Sequence, residues 1–295
     1  MNLFRSNRHN GARLSVIVIS YNMKRELPRT LESLTTRMQK NIHETDYEII
    51  VVDNGSKEPA DIGSCRRLGG NIRFFAAPDP TVSPAGAIAY GVSQARYDCL
   101  CIWIDGARLA SPGLLNLART GLALGPHTVV GTIGCHLGPK VQMQSVHEGY
   151  DQAVEDELLQ SIDWQEDGYR LFGISCLAGS STKGWFVLPN ETNALFMHRE
   201  YYRKLGGFDT RFQSPGGGLI NHDFWKRACD APQSEIIMML GEATFHQVHG
   251  GVATNALKSP WRDFVREYED IRGHTYVQSV KPFKVFGTPR FLNLT

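Results

Sequence analysis

Two acidic residues each follow an apolar run directly, and this pattern places groups that could do chemistry at defined points of the chain. Asp53 ends the run Tyr47–Val52, and Asp105 follows the run Tyr97–Ile104. Runs that are apolar on both faces are typical of strands buried in a covered sheet. Open α/β sheets bind ligands at the carboxyl ends of their strands, where both carboxylates would lie. A turn-forming or helix-capping role is the alternative for each residue, because Asp favours both positions.

Two histidines lie close together in a glycine-bearing segment farther along the chain. His246 and His249 are three residues apart within Gly241–Thr254, and Gly250 and Gly251 follow them. Imidazole binds divalent transition metals beside carboxylate oxygens, and its charge responds to small changes of environment. We expect a tight loop that closes over a ligand, with a hydrogen-bonded structural histidine as the alternative for each residue alone.

The first 125 residues alternate between strand-like and helix-like patterns. Runs rich in β-branched residues indicate strands, and apolar residues at helical spacing indicate the helices between them. Strand, helix and strand in this order form a right-handed parallel unit, so the strands share one carboxyl edge. The predicted strands are Leu14–Ser20, Tyr47–Val52, Ile72–Ala76 and Tyr97–Ile104, and the predicted helices are Leu27–Met38, Pro84–Ala95 and a segment from the capping pair Ser111-Pro112 to Leu122.

Composition places the chain among globular proteins with a large core. Its 295 residues are 42% hydrophobic and carry a formal net charge of +1. A nearly balanced charge gives no reason to expect nucleic acid as a partner. The six cysteines are scattered without a paired spacing, so we expect reduced core residues and neither disulfides nor a zinc site.

Hydropathy predicts a cytoplasmic protein. No apolar run approaches the roughly 18 residues that a membrane span needs, and no signal-peptide pattern opens the chain. Both ends carry basic clusters, which indicate solvated tails, with peripheral contact to the inner face of an anionic membrane as the alternative. These clusters are Arg5, Arg8 and Arg13, and Lys281, Lys284 and Arg290 mixed with Phe283, Phe286 and Phe291.

Three stretches carry a resemblance to a known family. Residues 15–22 read SVIVISYN, residues 48–56 read EIIVVDNGS, and residues 193–227 begin NALFMHREYYRKLGGFD. In this order, and with a strand ending in Asp between the second and third, they resemble glycosyltransferase family 2. The resemblance implies an α/β fold of the GT-A class, a Rossmann-like nucleotide-diphospho-sugar transferase fold with a mostly parallel central sheet flanked by helices.

The resemblance also implies roles for residues at the strand ends. Asp53 would hydrogen-bond the base of a nucleotide, and the segment Ser20-Tyr21-Asn22 would shape the same pocket. Asp105 would stand at the DxD motif, in which one acid faces the ribose or metal and a second binds the metal. Ala107 occupies the place of that second acid, so the motif is incomplete here.

The histidine segment is a candidate replacement for the missing acid. Polypeptide N-acetylgalactosaminyltransferases, a related GT-A group, contribute a histidine metal ligand from this region of the chain. By that resemblance His246 first, and His249 second, would join Asp105 around Mn²⁺ or Mg²⁺.

The general base is the least sharply indicated residue. Inverting family members use a carboxylate from an acidic block to take the proton of the acceptor hydroxyl. Asn221 stands in one acidic place of that block and Asp223 in a later one. Asp223 and Glu191 are therefore the candidate bases, with Glu242 a third, and a retaining reaction follows if no base is present. A helix-stabilising acid in a first turn is the alternative for Asp223.

The resemblance implies three parts and a reaction. The parts are a nucleotide-sugar half over residues 1–125, an acceptor and catalytic half over 126–255, and a C-terminal helix and tail over 256–295. The apolar stripe Trp261–Ile271 predicts that helix, after Ser259-Pro260 and before Gly273. The reaction would move a sugar from a nucleotide-diphosphate donor, a UDP-sugar, to a saccharide or lipid-linked saccharide in cell-surface polysaccharide or glycoconjugate synthesis, with inversion.

Two other functions are open from the sequence. A catalytically inactive GT-A module that acts as a scaffold in polysaccharide assembly would show losses such as Ala107 and Asn221. A nucleotidyltransferase would share the same first strands, but it needs a glycine-rich basic loop after the first one. The segment Tyr21-Asn22-Met23 stands there instead, which disfavours that class.

Overall fold

One sheet of ten strands runs through the described structure. The computed structural model describes residues 12–252, 254 and 260–289. The strands are Leu14–Ser20 (β1), Tyr47–Asp53 (β2), Ile72–Ala76 (β3), Cys99–Trp103 (β4), Arg108–Ala110 (β5), Thr128–Leu137 (β6), Ser175–Leu177 (β7), Ala194–His198 (β8), Glu235–His246 (β9) and Lys284–Gly287 (β10).

The sheet is mostly parallel, as the sequence predicts. Its order is β3-β2-β1-β4-β8-β6-β9-β10, with β5 paired to β9 and β7 paired to β6. The strands β3, β2, β1 and β4 are parallel, which the strand–helix–strand order requires. The strand β8 runs antiparallel between β4 and β6, and β6, β9 and β10 are parallel again. The predicted α/β class with a mostly parallel central sheet is therefore confirmed.

Helices cover both faces of this sheet. They are Glu26–Leu34 (α1), Ile62–Arg67 (α2), Ala85–Ser93 (α3), Leu114–Leu122 (α4), Gln142–Ser145 (α5), Gln152–Gln160 (α6), Arg199–Lys204 (α7), Ile220–Asp230 (α8) and Trp261–Arg272 (α9). Ile17 and Ile19 of β1 pack into one apolar core, whereas Val16 and Val18 pack into the other. Burial on both faces explains why the strand runs are continuously apolar.

Small residues let α3 lie directly on the sheet. A Cβ added at Gly91 would lie 2.5 Å from Ile17 Cγ2 and 3.1 Å from Val52 Cγ2. A larger side chain at Gly91 would push the helix away from β1 and β2. This packing fixes the two strands whose carboxyl ends carry the predicted site residues.

Several predicted bounds and one predicted cap differ from the structure. The strand predicted over Tyr97–Ile104 is the shorter β4, so Asp105 lies two residues beyond its end. The helix predicted to reach Met38 ends at Leu34, although Met38 is still buried. Ser111 does not cap α4, because Gly113 is the N-cap residue and the Ser111 hydroxyl donates to Glu242.

The C-terminal segment is less tail-like than predicted. Lys284–Gly287 forms the exposed edge strand β10 against β9. The helix α9 ends at Gly273, which has φ 73°, and it buries Phe264 and Tyr268 against the body, as its apolar stripe predicts. The predicted cap Ser259 and four residues of the basic clusters lie outside the described residues: Arg5, Arg8, Arg290 and Phe291.

Cysteine state and membrane-spanning potential also follow from the described part of the chain. All six cysteines are free, five of them buried and Cys176 partly so. Among the described residues, every helix is too short or too polar to traverse a bilayer.

Candidate active site

The loops after β1 and β2 are tied together by side-chain hydrogen bonds. Asp53 Oδ1 accepts from the backbone N–H groups of Gly55 at 3.0 Å and Ser56 at 2.8 Å, which is an Asx turn. The Ser56 hydroxyl donates to Asp53 Oδ2 at 2.6 Å and accepts from the backbone N–H of Asn22 at 2.7 Å. Asn22 has φ 53°, and its Oδ1 accepts from the N–H of Lys57. The turn-forming role, which the sequence left as the alternative for Asp53, is present, and these bonds tie the two loops together.

The other predicted nucleotide-binding residues lie at the same edge. Ser20 is buried and pairs in register with Asp53, whereas Tyr21 is 49% exposed. An exposed aromatic ring at a strand end offers a face on which a planar base can stack. An open cleft of about 620 Å³ adjoins this edge and is lined by Asn22, Lys24, Arg25, Glu26, Lys57, Glu58 and Gln152. The sequence-predicted residues after β1 and β2 are thus brought together.

The loop that carries Asp105 is held against the end of β1. The N–H of Gly106 donates to the carbonyl of Ile19 at 2.7 Å. A Cβ at Gly106 would lie 2.8 Å from that same oxygen, so any other residue would move the loop. Ala107 is fully buried among apolar residues, a position where an ionised carboxylate would be costly. The missing acid of the DxD pattern therefore corresponds to a core position in this chain.

His246 and His249 reach Asp105 because β5 pairs antiparallel with β9. This pairing sets Arg108 opposite His246. His246 Nε2 lies 3.0 Å from Asp105 Oδ2, and His249 Nε2 lies 3.8 Å from Asp105 Oδ1. The two Nε2 atoms are 3.2 Å apart. The three side chains form a cluster whose ligand-type atoms lie within 4.8 Å of one another, and we call it the Asp-His-His cluster.

A second layer of side chains orients His246. Gln142 Nε2 donates to the backbone carbonyl of His246 at 3.0 Å, which fixes the orientation of the amide. Its Oε1 then accepts from His246 Nδ1 at 2.6 Å. The backbone N–H of Gln142 donates to His136 Nδ1 at 2.8 Å. With its proton on Nδ1, His246 presents the lone pair of Nε2 toward Asp105, as a metal ligand does.

Electrostatics keep this cluster in the charge state that a cation requires. Burial first, and then the charge of the nearby Arg108 guanidinium, lower the pKa of His246 to about 4, so the imidazole is neutral at neutral pH. Burial alone would raise the pKa of Asp105, but His249, His246 and Arg108 hold that pKa well below its usual range. A neutral imidazole and an ionised carboxylate are the forms that ligate metals.

The donor set fits a divalent cation. Two acceptor atoms, Nε2 of His246 and Oδ2 of Asp105, approach to 3.0 Å with no proton between them in the orientation that Gln142 imposes. Ligands at right angles around a metal, each at about 2.1 Å, lie roughly 3 Å apart. Two separations in the cluster, 3.0 Å between His246 Nε2 and Asp105 Oδ2 and 3.2 Å between the two Nε2 atoms, are of this size. A mixed imidazole and carboxylate set suits Mn²⁺ better than Mg²⁺, which prefers oxygen ligands.

Glu191 lies beside α8 with part of its side chain open to solvent. Its side chain is 21% exposed. Glu191 Oε2 accepts from Asn221 Nδ2 at 2.8 Å, and Asn221 also donates to Asn193 Oδ1 at 3.3 Å. A Cβ added at Gly134 would lie 3.6 Å from Asn193 Nδ2 and 3.7 Å from Arg108 Nη1. Asn193, which shares Asn221 with Glu191, and Arg108, which pairs with Asp105, therefore both lie near Gly134.

Asp223 and Glu242, the other two candidate bases, are occupied by structural contacts. Asp223 is 1% exposed, and Arg227 and Arg272 together donate to both of its oxygens at 2.6–2.8 Å. Buried Glu242 accepts from the N–H of Gly113 at 3.1 Å and from the Tyr169 hydroxyl at 2.9 Å, so it holds the start of α4. Neither carboxylate offers a free oxygen to a substrate in this arrangement.

The helix α6 anchors the histidine loop. Glu155 Oε2 accepts from the backbone N–H of Val248 at 2.8 Å, and Arg25 Nη1 donates to the backbone carbonyl of Val248 at 3.3 Å. Arg25 also pairs with Glu155 at 3.1 Å and with Asp156 at 2.6 Å. Val248, one of the two residues between His246 and His249, is thereby held through both its backbone N–H and its carbonyl.

Sequence reasoning missed several residues of this site. Arg108 stands three residues after Asp105, and that spacing is a local signal. No sequence pattern indicated His136, Gln142 and Glu155. Their partners, His246 for the first two and Val248 for the third, lie 93–110 residues away along the chain. His136 is buried opposite His246 in the sheet, and this burial lowers its pKa well below the usual value.

Comparison with known proteins agrees with the family resemblance. The sequence model of the family described as glycosyl transferase family 2 matches residues 15–176. Two validoxylamine A glucosyltransferases of Streptomyces hygroscopicus are 32% and 31% identical over 252 and 249 residues, each alignment covering 75% of this chain. The alignments cover 53% and 49% of those proteins, so the chain spans about half the length of the curated relatives it matches.

Solved structures share the fold at low sequence identity. TarS of S. aureus (residues 1–349), in complex with UDP, superposes with a TM-score of 0.54 at 14% identity, covering 90% of this chain and 67% of that one. GalNAc-T7 with UDP, GalNAc and Mn²⁺ superposes with a TM-score of 0.56 at 14% identity, covering 88% of this chain and 48% of that one. These likenesses confirm the GT-A fold.

Proposed function

Since this chain belongs to glycosyltransferase family 2, we propose that it transfers a sugar from a UDP-sugar to a hydroxyl group of a saccharide or lipid-linked saccharide. The Asp-His-His cluster beside the carboxyl ends of β1 and β4 is the observation that carries this proposal, because it sets a cation-type ligand group where GT-A enzymes bind a diphosphate. Cell-surface polysaccharide or glycoconjugate synthesis is the process in which we place the reaction.

The nucleoside would bind at the edge formed by the β1 and β2 loops. Asp53 and the segment Ser20-Tyr21-Asn22 lie there, and the Ser56 hydroxyl joins Asp53 to the backbone of Asn22 before a ligand arrives. A preformed edge lowers the ordering cost of binding. UDP in the GT-A structure of TarS supports uridine as the nucleoside.

Asp105, His246 and His249 would hold Mn²⁺ or Mg²⁺. When bound, the cation neutralises the negative charge that develops on the leaving diphosphate. This chain would contribute the ionised carboxylate of Asp105, the two imidazoles and the second-layer bond from Gln142. Mn²⁺ in the GalNAc-T7 structure supports this assignment.

Glu191 is the base in our proposal, and the reaction inverts the anomeric carbon. Its carboxylate is partly exposed and is bonded on one oxygen by Asn221, which leaves the other oxygen for an acceptor hydroxyl. Glu191 would take the hydroxyl proton as that oxygen attacks the anomeric carbon and the diphosphate departs. Both oxygens of Asp223 are already bound to Arg227 and Arg272, which favours Glu191 over Asp223.

Release of UDP from a panel of UDP-sugars tests the proposal without knowledge of the acceptor, because water can slowly take the place of the acceptor hydroxyl. We expect release that requires Mn²⁺ or Mg²⁺, stops with EDTA, and is lost in Asp105→Asn. Tight UDP binding without turnover of any UDP-sugar, with or without candidate saccharides, would favour the inactive scaffold. Failure to bind UDP or any other nucleoside diphosphate would contradict the proposal.

A further inference from the structure

Arg108 is a buried cation with an incomplete set of hydrogen-bond partners. The residue is 7% exposed, and its buried Nε and Nη1 atoms have no hydrogen-bond acceptor among the residues that the structure describes. Its Nε lies 3.3 Å from Asp105 Oδ2, close enough for charge attraction. Buried guanidinium groups normally satisfy their N–H groups, since each unpaired buried donor is costly. The unmet donors therefore favour an anionic ligand beside this guanidinium.

The backbone fixes Arg108 in this place. It begins β5, and β5 pairs with β9 so that Arg108 stands opposite His246. Gly134 on β6 lies beside the guanidinium, since a Cβ added there would lie 3.7 Å from Nη1. The cation is thus built into the sheet next to the Asp-His-His cluster.

Charge counting shows what Arg108 changes. Two carboxylates and a divalent cation would leave a site with no net charge. Here Asp105 contributes one negative charge, the second acidic place is Ala107, and Arg108 adds one positive charge. The same site with a divalent cation would carry a net charge of +2, which complements a diphosphate. Without the cation the site is neutral, yet Arg108 still offers N–H donors.

We propose that Arg108 binds the diphosphate of the donor directly, and that it gives this protein a share of diphosphate affinity that does not depend on a metal. A guanidinium matches the paired oxygens of a phosphate group and cannot lose its proton in a protein. Arg108 also lies beside the cation ligands, where its charge weakens cation binding in the absence of nucleotide. This inference rests on the proposed nucleotide-sugar donor.

Titration calorimetry on Arg108→Gln tests the proposal through two opposite changes. With EDTA present, UDP affinity should fall roughly tenfold to a hundredfold, because bonds to a charged group are lost, whereas uridine affinity should stay the same. Without nucleotide, Mn²⁺ should bind more tightly to the variant, because a neighbouring positive charge is gone. If the substitution only damaged the fold, the binding of both UDP and Mn²⁺ would become weaker. Arg108→Lys keeps the positive charge but loses the paired N–H groups of the guanidinium. Its UDP affinity should therefore lie between that of wild type and that of Arg108→Gln.

A matched control removes a buried arginine elsewhere. Arg119 is 5% exposed and pairs with Asp46 at 2.9 Å, away from the Asp-His-His cluster. Arg119→Gln should lower stability and leave UDP and Mn²⁺ affinities unchanged. If wild type binds UDP and Arg108→Gln binds it equally well in EDTA, the inference is overturned while the proposed function stands. If wild type binds neither UDP nor another nucleoside diphosphate, both are overturned.

Discussion

Glu191 and Asp223 show how strongly the surroundings of a carboxylate determine what it can do. Both are acids of the segment that resembles the family's acceptor side. Glu191 keeps solvent contact and is bound mainly by a neutral amide, whereas Asp223 is enclosed by two guanidinium groups. The first arrangement suits a group that accepts a proton, and the second suits an ion pair that fastens α8 to α9.

Two isosteric variants separate these roles. Glu191→Gln should lower sugar transfer by roughly a hundredfold or more, as loss of a general base does, with little change in melting temperature. Asp223→Asn should lower the free energy of unfolding by about 3–5 kcal/mol, because Arg227 and Arg272 lose a buried partner. Transfer rates and urea unfolding curves on both variants provide the measurement. If Asp223→Asn loses sugar transfer but keeps the stability of wild type, Asp223 is the base instead of Glu191.

The residues around the DxD position differ in how far the sequence alone could predict their roles. Asp105 was predictable from the strand that precedes it and from the family resemblance. The reason for Ala107 was not, because its burial depends on packing beneath the loop. Arg108 stands three residues after its partner Asp105, whereas Gln142 and Glu155 act through partners far away in sequence, and a single chain without its fold gives no sign of those distant contacts.

At the scale of elements, the loop between β4 and β5 carries the site. Gly106 brings Asp105 against β1 because it has no Cβ, and the short β5 then leads to the end of β9. The geometry of the Asp-His-His cluster thus depends on one close approach of backbone to backbone.

Gly106→Ala tests this dependence. The new Cβ would lie 2.8 Å from the Ile19 carbonyl, so the loop must move, which we expect to cost about 1–3 kcal/mol of stability and to weaken Mn²⁺-dependent UDP binding. Gly86→Ala in α3 is the control, because its Cβ would meet nothing within 4 Å. The control should be neutral, or more stable by up to about 1 kcal/mol, through its better helix propensity. Equal UDP binding by both variants would contradict this account of the loop.

The helix α6 and the histidine loop form a second coupled pair. Glu155 is fully buried and accepts the N–H of Val248. Burial raises the pKa of Glu155 from its usual 4.5 to about 7. The folded state therefore binds more protons than the unfolded chain between these two values, and stability falls as pH rises through that window.

Glu155→Gln should remove this pH dependence. Relative to the variant, wild type should lose stability from about pH 5 to about pH 7, at a slope of up to about 1.4 kcal/mol per pH unit. Above about pH 8 the difference should level off, because both states of wild type are then ionised. Urea unfolding of both proteins across this range measures the slope. A wild type that gains stability relative to the variant as pH rises would show that Arg25 outweighs burial.

At the scale of the molecule, the sequence predicted the part of the fold that is built from consecutive elements. The strands β1 to β4 and the helices between them follow local patterns, so their order and direction were predictable. The predicted end of α1 at Met38 was wrong, because buried residues continue past Thr35, where the helix ends. The strand β6 was not predicted because glycines and threonine interrupt its apolar run, and β10 was not predicted because it is exposed.

The division of the chain into halves at about residue 125 remains a prediction. One sheet joins both halves, because β8 lies between β4 and β6. The site is likewise assembled across them, with Asp105 from the first half and the histidines from the second. Residues 141 positions apart meet there, which only the resemblance to a family could suggest from sequence.

UDP binding with and without Mn²⁺ is the measurement that tests the central claim most directly. Calorimetry would compare wild type, His246→Ala and the control His43→Ala, which changes an exposed histidine before β2. We expect Mn²⁺ to raise the UDP affinity of wild type and of the control by at least roughly tenfold, and to have little effect on His246→Ala. UDP binding that is indifferent to Mn²⁺ in wild type would contradict the Asp-His-His cluster as the cation site of this enzyme.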